Sequence, residues 1–199
     1  MKGRFEGDLQ VRWLDDGRLM ELVEPFCFHD TARVAWPVPK GVRTDGASIP
    51  RFLWSVVGGP FEGKYRKAAV VHDYYCDVRQ RHWSDVHRMF YHAMLTSNVA
   101  IRQAKILYFG VLLGGPRWTK QAMHNTQLAA SSTDKPLGSP LRCVALPIEY
   151  QQPDVDEDTF ARLSTELTSM PLADIEAKAD ADRASLVMSP IEDLLKDLS

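Results

Sequence analysis

The residues best suited to chemistry surround His72, in the sequence AAVVHDYYC at residues 68–76. An imidazole that is oriented by a carboxylate is the unit that activates water in general-base catalysis. On a helix His72 and Asp73 lie about 100° apart, so both can border one cleft. Tyr75 can donate a hydrogen bond into that cleft, and Asp85 begins the next predicted helix. We therefore predict that His72 is the general base, that Asp85 orients it and that Tyr75 positions it.

The carboxylates near this histidine also suit a cation. Asp73 and Asp45, together with carbonyl groups of the loop at residues 44–51 (TDGASIPR), offer the oxygen ligands that Ca²⁺ prefers in proteins. A divalent cation such as calcium is therefore the cofactor of this hypothesis. The same residues have ordinary structural roles as well, because a helical histidine often holds a neighbouring carboxylate and an Asp-Gly pair is typical of a turn.

The other histidines and the cysteines do not predict a metal site. His82, His87 and His92 recur at spacings of five, whereas two ligands on one face of a helix need the i, i+4 spacing. The cysteines are odd in number and widely spaced, which excludes a disulfide framework and a CxxC metal knuckle. We assign structural roles to His29, to His124 and to the three cysteines, which are Cys27, Cys76 and Cys143.

Short strands are predicted before the histidine block. Residues 9–14 and 19–24 alternate in polarity on either side of an Asp-Gly turn, which predicts a β-hairpin. Two further apolar runs, at residues 25–28 and 33–38, contain or adjoin prolines that favour edge strands. We therefore predict an antiparallel element of three to four strands over residues 1–43.

Three helices are predicted after the strands, because apolar residues recur every three to four positions. They cover residues 64–80, 84–97 and 99–113, and a shorter helix precedes them at residues 51–57. Ser84 is the predicted N-cap of the second long helix. Short breaks between the helices favour antiparallel neighbours. The predicted fold class is thus α+β, with a small antiparallel β element followed by a three-helix bundle.

Charge divides the chain near residue 125. Residues 1–124 carry a net charge of +6 and residues 125–199 carry −8, and the two nearly cancel in the −2 of the whole chain. The Ser- and Pro-rich segment at residues 125–140 is typical of a linker. We predict a core domain at 1–124, with a β element at 1–43 and a helical part at 44–124. Residues 125–199 are predicted to form a linker and an acidic, mostly disordered tail that docks on a partner.

Basic side chains on the predicted helices raise the alternative of nucleic-acid binding. The net charge of the core is modest, and the acidic tail would compete for any basic face. We therefore expect no nucleic-acid partner and expect the helical surface to dock the tail of its own chain. The basic residues of this surface are Lys64, Arg66, Lys67, Arg79, Arg81, Arg88, Arg102 and Lys105.

The longest apolar run, at residues 106–113, is far shorter than the roughly 20 residues of a membrane span.

Three blocks of sequence resemble one family when they are taken in order. They are TDGASIPRFLW at residues 44–54, AAVVHDYYC at 68–76 and SDVHRMFYHAML at 84–95. They are similar to domain of unknown function 1353, whose pattern is T-D-x-A-S-x-P, then H-D-x-x-Y, then an Asp before a helix rich in aromatics and Met. The resemblance covers about residues 3–118 and departs at Cys76, where a tyrosine is usual. It implies a phage or prophage origin, in the host cytoplasm or the virion, and no established activity.

The helical His-Asp-x-x-Tyr block is also similar to the catalytic helix pair of secreted phospholipases A2. That similarity implies that His72 activates water, that Asp73 binds calcium and that Asp85 orients His72. The paired cysteines and the glycine-rich calcium loop of that family are absent from this sequence.

Two functions therefore remain open. The preferred one is a virion or assembly component, in which the polar cluster is a buried network that fixes the fold and the acidic tail docks on phage structural proteins. The alternative is a metal-assisted hydrolase of an ester or amide that uses the His72–Asp85 dyad. The exposure of His72 to solvent distinguishes the two.

Overall fold

The computed structural model describes residues 2–15, 19–44, 53, 63–118 and 155–197, with side chains to residue 186 in the last range. Within these residues it contains six short strands and five helices. The α+β fold class predicted from the sequence is confirmed.

The first 44 residues form two antiparallel sheets of three strands each. The predicted hairpin is confirmed by the pairing of Val11 with Leu22 and of Trp13 with Met20, while its turn at residues 16–18 lies outside the described residues. The six strands exceed the predicted three to four, and β1 and β6 are the short strands that the sequence pattern did not mark. The first sheet has the order β1-β4-β5 (Arg4–Glu6, Phe26–His29, Ala35–Val38), and the second has the order β2-β3-β6 (Val11–Trp13, Met20–Leu22, Arg43–Thr44).

The first sheet turns its apolar side chains toward the helices. In β5 Trp36 and Val38 are buried while Ala35 and Pro37 are exposed, which is the period-two alternation of a half-buried strand. Pro37 lacks a backbone N–H, and it is tolerated because β5 is an edge strand.

The three predicted long helices are confirmed as α1 (Arg66–Val78), α2 (Trp83–Thr96) and α3 (Ile101–Gly114). Consecutive helices pack against each other, and α1 also contacts β5 and β6. The prediction of Ser84 as N-cap is wrong: His82 is the N-cap, and its side chain accepts a hydrogen bond from the backbone N–H of Ser84. The helix predicted at residues 51–57 lies outside the described residues except for Leu53.

Leu53 packs against the backbone of α3 at Gly110. A Cβ atom on Gly110 would lie 2.5 Å from Leu53 Cδ1, which is closer than any carbon contact allows. Leu53 is itself completely buried. Glycine at this position therefore permits the close approach of Leu53 to the third helix.

Residues 155–197 form two helices that pack on the core. Helix α4 (Glu157–Leu163) begins at Asp156, whose side chain accepts a hydrogen bond from Thr159 N. Helix α5 (Leu172–Asp197) packs against α3. The acidic tail predicted at residues 125–199 thus contains an ordered part, and the predicted linker at residues 125–140 lies outside the described residues. The core accepts the buried side chains of Phe160, Leu167, Ile175 and Ala179.

Basic groups of the helical core bind α5 and the segment that precedes it. Arg88 binds Glu176 through two hydrogen bonds of 3.1 and 2.7 Å. The ammonium group of Lys105 donates to the backbone carbonyls of Thr168 and Met170. The expectation that the basic helical surface docks the tail of its own chain is confirmed for these two residues.

Helix α5 also contributes a charged side chain to the core, the guanidinium of Arg183. The buried guanidinium of Arg183 donates to the carbonyls of Leu113 and Gly115 at the end of α3, which satisfies acceptors that a helix C-terminus leaves open.

Among the described residues, no helix combines the length and the apolar character that crossing a membrane requires.

Candidate functional site

His72, Cys76 and His87 form a buried polar cluster between two helices. His72 and Cys76 lie one turn apart on α1, and the short connection after Val78 brings α2 back alongside so that His87 faces them. His72 and His87 are 0% exposed and Cys76 is 4% exposed. Their potential ligand atoms all lie within 4.8 Å of one another.

A directed chain of hydrogen bonds runs through the cluster. His87 Nε2 lies 3.1 Å from the carbonyl oxygen of Pro116, and a carbonyl only accepts, so His87 carries its proton on Nε2. Its Nδ1 atom is then an acceptor and receives the N–H of His72 Nε2 at 2.8 Å. Since Pro116 follows α3, this chain connects all three core helices.

The remaining contacts of His72 are with the thiol of Cys76 and the phenyl ring of Phe90. Cys76 Sγ lies 3.6 Å from His72 Nε2 and 3.9 Å from Nδ1. The ring of Phe90 lies 4.7 Å from the imidazole, centroid to centroid. His72 is completely buried, and among the described residues no carboxylate contacts the ring to stabilise a charged imidazole.

Burial keeps both histidines neutral. It lowers the pKa of His72 to about 3, and it lowers the pKa of His87 well below its usual value, with further lowering by the neighbouring His72 and Arg117. At neutral pH both rings are therefore uncharged, which is the state that the directed hydrogen bonds require.

Acidification is expected to destabilise the metal-free protein before most carboxylates titrate. The pKa of each ring is lower in the native state than the unfolded value of about 6.5, so the unfolded state takes up protons that the native state refuses. Stability is then lost as pH falls below about 6.5, at up to about 1.4 kcal/mol per pH unit for each histidine. Urea unfolding at pH 7.0 and 5.5 measures the loss. The His72→Leu variant should show a shallower dependence, and an unchanged free energy of unfolding in the wild type would contradict this explanation.

Asp85 does not meet His72 in this fold. It is exposed in the first turn of α2, and in the described ranges no hydrogen bond or ion pair joins it to the imidazole. Asp85 precedes His87 by two residues, or about 200° around the helix, so only His87 can face α1. At this position the negative carboxylate instead stabilises α2, because it lies near the positive end of the helix dipole.

Tyr75 and Asp73 hold α1 to the sheets. The hydroxyl of Tyr75 donates to the carbonyl of Pro37 at 3.2 Å, and burial raises its pKa to about 12. Asp73 is buried and accepts a hydrogen bond from the hydroxyl of Thr44 in β6. Asp45, the other predicted cation ligand, lies outside the described residues.

Sequence reasoning missed two members of the cluster. Cys76 follows His72 by four residues, which is the i, i+4 spacing of a helical ligand pair, so this half of the cluster was open to detection. His87 carries no such signal, because its partners lie on another helix and only the packing register of α1 and α2 brings it to them.

The fold and the cluster define a small α+β domain whose central histidines are sealed between helices. Residues 20–111 match the model of the family described as "Protein of unknown function (DUF1353)", which confirms the resemblance predicted from the three blocks for this part of the chain. No solved structure shows a significant match.

Two curated relatives come from Sinorhizobium fredii (strain NBRC 101917 / NGR234). The chain is 44% identical to the uncharacterized protein y4jT over 133 residues, which are 67% of this chain and 39% of that protein. It is 46% identical to the uncharacterized protein y4iH over 93 residues, which are 47% of this chain and 39% of that protein. The chain thus spans about two fifths of the length of each relative.

Proposed function

We propose that this protein is an assembly component of phage or prophage origin, acting in the host cytoplasm or in the virion, rather than an enzyme. The observation that carries the proposal is that His72 is completely buried and bonded to His87, while Asp85 lies on the solvent side of α2. A general base must come within hydrogen-bond reach of its substrate, directly or through one water. A sealed imidazole lacks that access.

The buried cluster has a structural role in this proposal. It connects α1, α2 and the end of α3 through directed hydrogen bonds. Hydrogen bonds of fixed direction specify one packing arrangement more narrowly than apolar contacts do. A rigid helical core is a suitable base for a protein that presents surfaces to partners.

The acidic face of the docked tail is the proposed partner surface. Once α4 and α5 have packed on the core, several of their carboxylates remain exposed. Complementary charge speeds association and excludes partners of the wrong sign, so a basic surface of a phage structural protein is the expected counterpart. The exposed carboxylates are Asp156, Glu157, Asp158, Glu166 in the segment between the helices, and Asp174, while exposed Asp180 is already paired with Arg117 of the core.

Incorporation into particles tests the proposal. Particles induced from a host that carries the gene are expected to contain the wild-type chain after density banding, measured by quantitative mass spectrometry. The double variant Asp158→Lys, Glu166→Lys is expected to lower the copy number at least about tenfold, which corresponds to about 1.4 kcal/mol of lost binding.

A second double variant provides the matched control. Asp15→Lys with Glu24→Lys makes the same change of charge at exposed positions of the β part, and it should be incorporated like the wild type. Circular dichroism and thermal unfolding establish that both variants fold. Absence of the chain from particles, or equal incorporation of the two variants, contradicts the proposal.

The metal-assisted hydrolase is a second candidate, and it is favoured by the buried carboxylate of Asp73, which follows His72 in the chain. It requires that His72 reach solvent. Carbethoxylation followed by peptide mapping separates the candidates: the assembly proposal expects His72 to react only on unfolding, whereas partly exposed His29 reacts in the folded protein. Rapid modification of His72 in the folded protein, with loss of ester or amide hydrolysis, would support the hydrolase.

A further inference from the structure

We propose that His72 Nε2, Cys76 Sγ and His87 Nδ1 form a binding site for Zn²⁺ between α1 and α2. All three residues are buried, and their ligand atoms lie within 4.8 Å of one another. The site differs from the calcium site predicted from the carboxylates, and it is independent of the proposed function.

The distances suit zinc with little movement. With Zn–S of about 2.3 Å and Zn–N of about 2.0–2.1 Å, a tetrahedral ion separates a sulfur from a nitrogen ligand by about 3.6 Å and two nitrogens by about 3.4 Å. Cys76 Sγ already lies 3.6 Å from His72 Nε2. The two imidazole nitrogens, now 2.8 Å apart, must separate by about half an ångström.

The second ring nitrogen of His87 is arranged as in known metal sites. It donates its N–H to the carbonyl of Pro116, which fixes the tautomer with a free lone pair on Nδ1. A metal-bound histidine almost always makes such a bond, because the bond orients the ring and raises its basicity as a ligand. The arrangement therefore exists before any ion enters.

The donor set favours zinc over calcium. Two imidazoles and a thiol are ligands for a borderline-soft cation, whereas Ca²⁺ takes six to eight oxygen ligands. Three protein ligands leave one position of a tetrahedral ion for water or a further group.

Proton transfers accompany binding. The N–H of His72 moves from Nε2 to Nδ1, which frees the Nε2 lone pair, and the thiol of Cys76 loses its proton to solvent. Three metal–ligand bonds form, and one proton is released for each ion bound. Binding should therefore weaken as pH falls.

A single-cysteine background makes the site measurable. The sequence contains three cysteines, so the full chain with Cys27→Ala and Cys143→Ala retains only the thiol of Cys76. This protein is unfolded, freed of metal with a chelator and refolded with Co²⁺ or Zn²⁺, so that burial does not block entry. We expect one equivalent of Co²⁺ to produce a thiolate-to-cobalt charge-transfer band and strong visible bands, and Zn²⁺ to displace it.

Two variants complete the test. Adding Cys76→Ala to this background should abolish the charge-transfer band and weaken Zn²⁺ binding at least about tenfold, a loss of about 1.4 kcal/mol. Exposed Ser185→Ala in the same background should bind like its parent. The proposal is overturned if the refolded single-cysteine protein binds no Zn²⁺, or if Cys76→Ala leaves the affinity unchanged.

Discussion

Replacement of Phe160 by alanine is expected to lower the free energy of unfolding by about 3–5 kcal/mol, the usual cost of deleting a buried phenyl group. Phe160 is 1% exposed and comes from α4, outside the predicted core domain. Its ring lies 5.9 Å from that of Phe109 in α3, centroid to centroid. The variant therefore measures how strongly residues 155–197 are attached to the core.

Urea unfolding monitored by circular dichroism measures this effect. Thr165→Ala is the control, because Thr165 is exposed and its hydroxyl donates to the nearby carbonyl of Arg162, so a change within about 0.5 kcal/mol is expected. Limited proteolysis provides a second readout, since an undocked tail should be cleaved faster. A loss below about 1 kcal/mol for Phe160→Ala would show that the tail contributes little to the native state.

The same contacts change how the tail must be tested for function. Deletion of residues 125–199 would uncover the apolar side of α3 and remove Arg183 from the carbonyls at its end. Such a truncation would mix lost stability with lost docking. Point variants at exposed carboxylates keep these interactions and are therefore the sharper test.

The parts of the fold that could be predicted are those with repeated local signals. The three core helices show apolar spacing over more than three turns, and the first hairpin has a recognisable turn. Strand β6 has only two residues, and β1 has three without the adjacent Asp-Gly turn that marks the equally short β2 and β3. The docking of α5 depends on pairs such as Arg88 and Glu176, which are 88 residues apart and leave no local pattern.

The candidate site shows the same division between local and distant information. The sequence singles out His72 as a candidate site residue, because its helix and its neighbours lie in one short block. The sequence analysis predicted Asp85 as the partner of His72 because a carboxylate can orient an imidazole. In the structure His87 is the partner, because the packing register of α1 and α2 places it against His72. A carboxylate and an imidazole two residues apart cannot face the same neighbouring helix, and this rule was available from the sequence once α1 and α2 were taken as a packed pair.

The pairing of the two histidines should appear as strong non-additivity. His72→Leu and His87→Leu are each expected to cost about 2–4 kcal/mol of unfolding free energy, because each removes the imidazole that hydrogen-bonds a buried nitrogen of the other ring. His87→Leu should cost more, since it also deprives the carbonyl of Pro116 of its donor. The double variant should cost less than the sum by about 1–3 kcal/mol. Urea unfolding in the presence of a chelator measures all four proteins.

A second double-mutant comparison shows whether the non-additivity is specific to the pair of histidines. His72→Leu combined with Cys27→Ala pairs two positions with no common partner in the described contacts, so their effects should add within about 0.5 kcal/mol. Additivity of the two histidine substitutions would contradict the directed hydrogen bond between them. If the double variant folds with most of its stability, the polar pair contributes little net free energy compared with an apolar pair. Its value to the protein would then be the selection of one helix register, together with the zinc site proposed for the two imidazoles and Cys76.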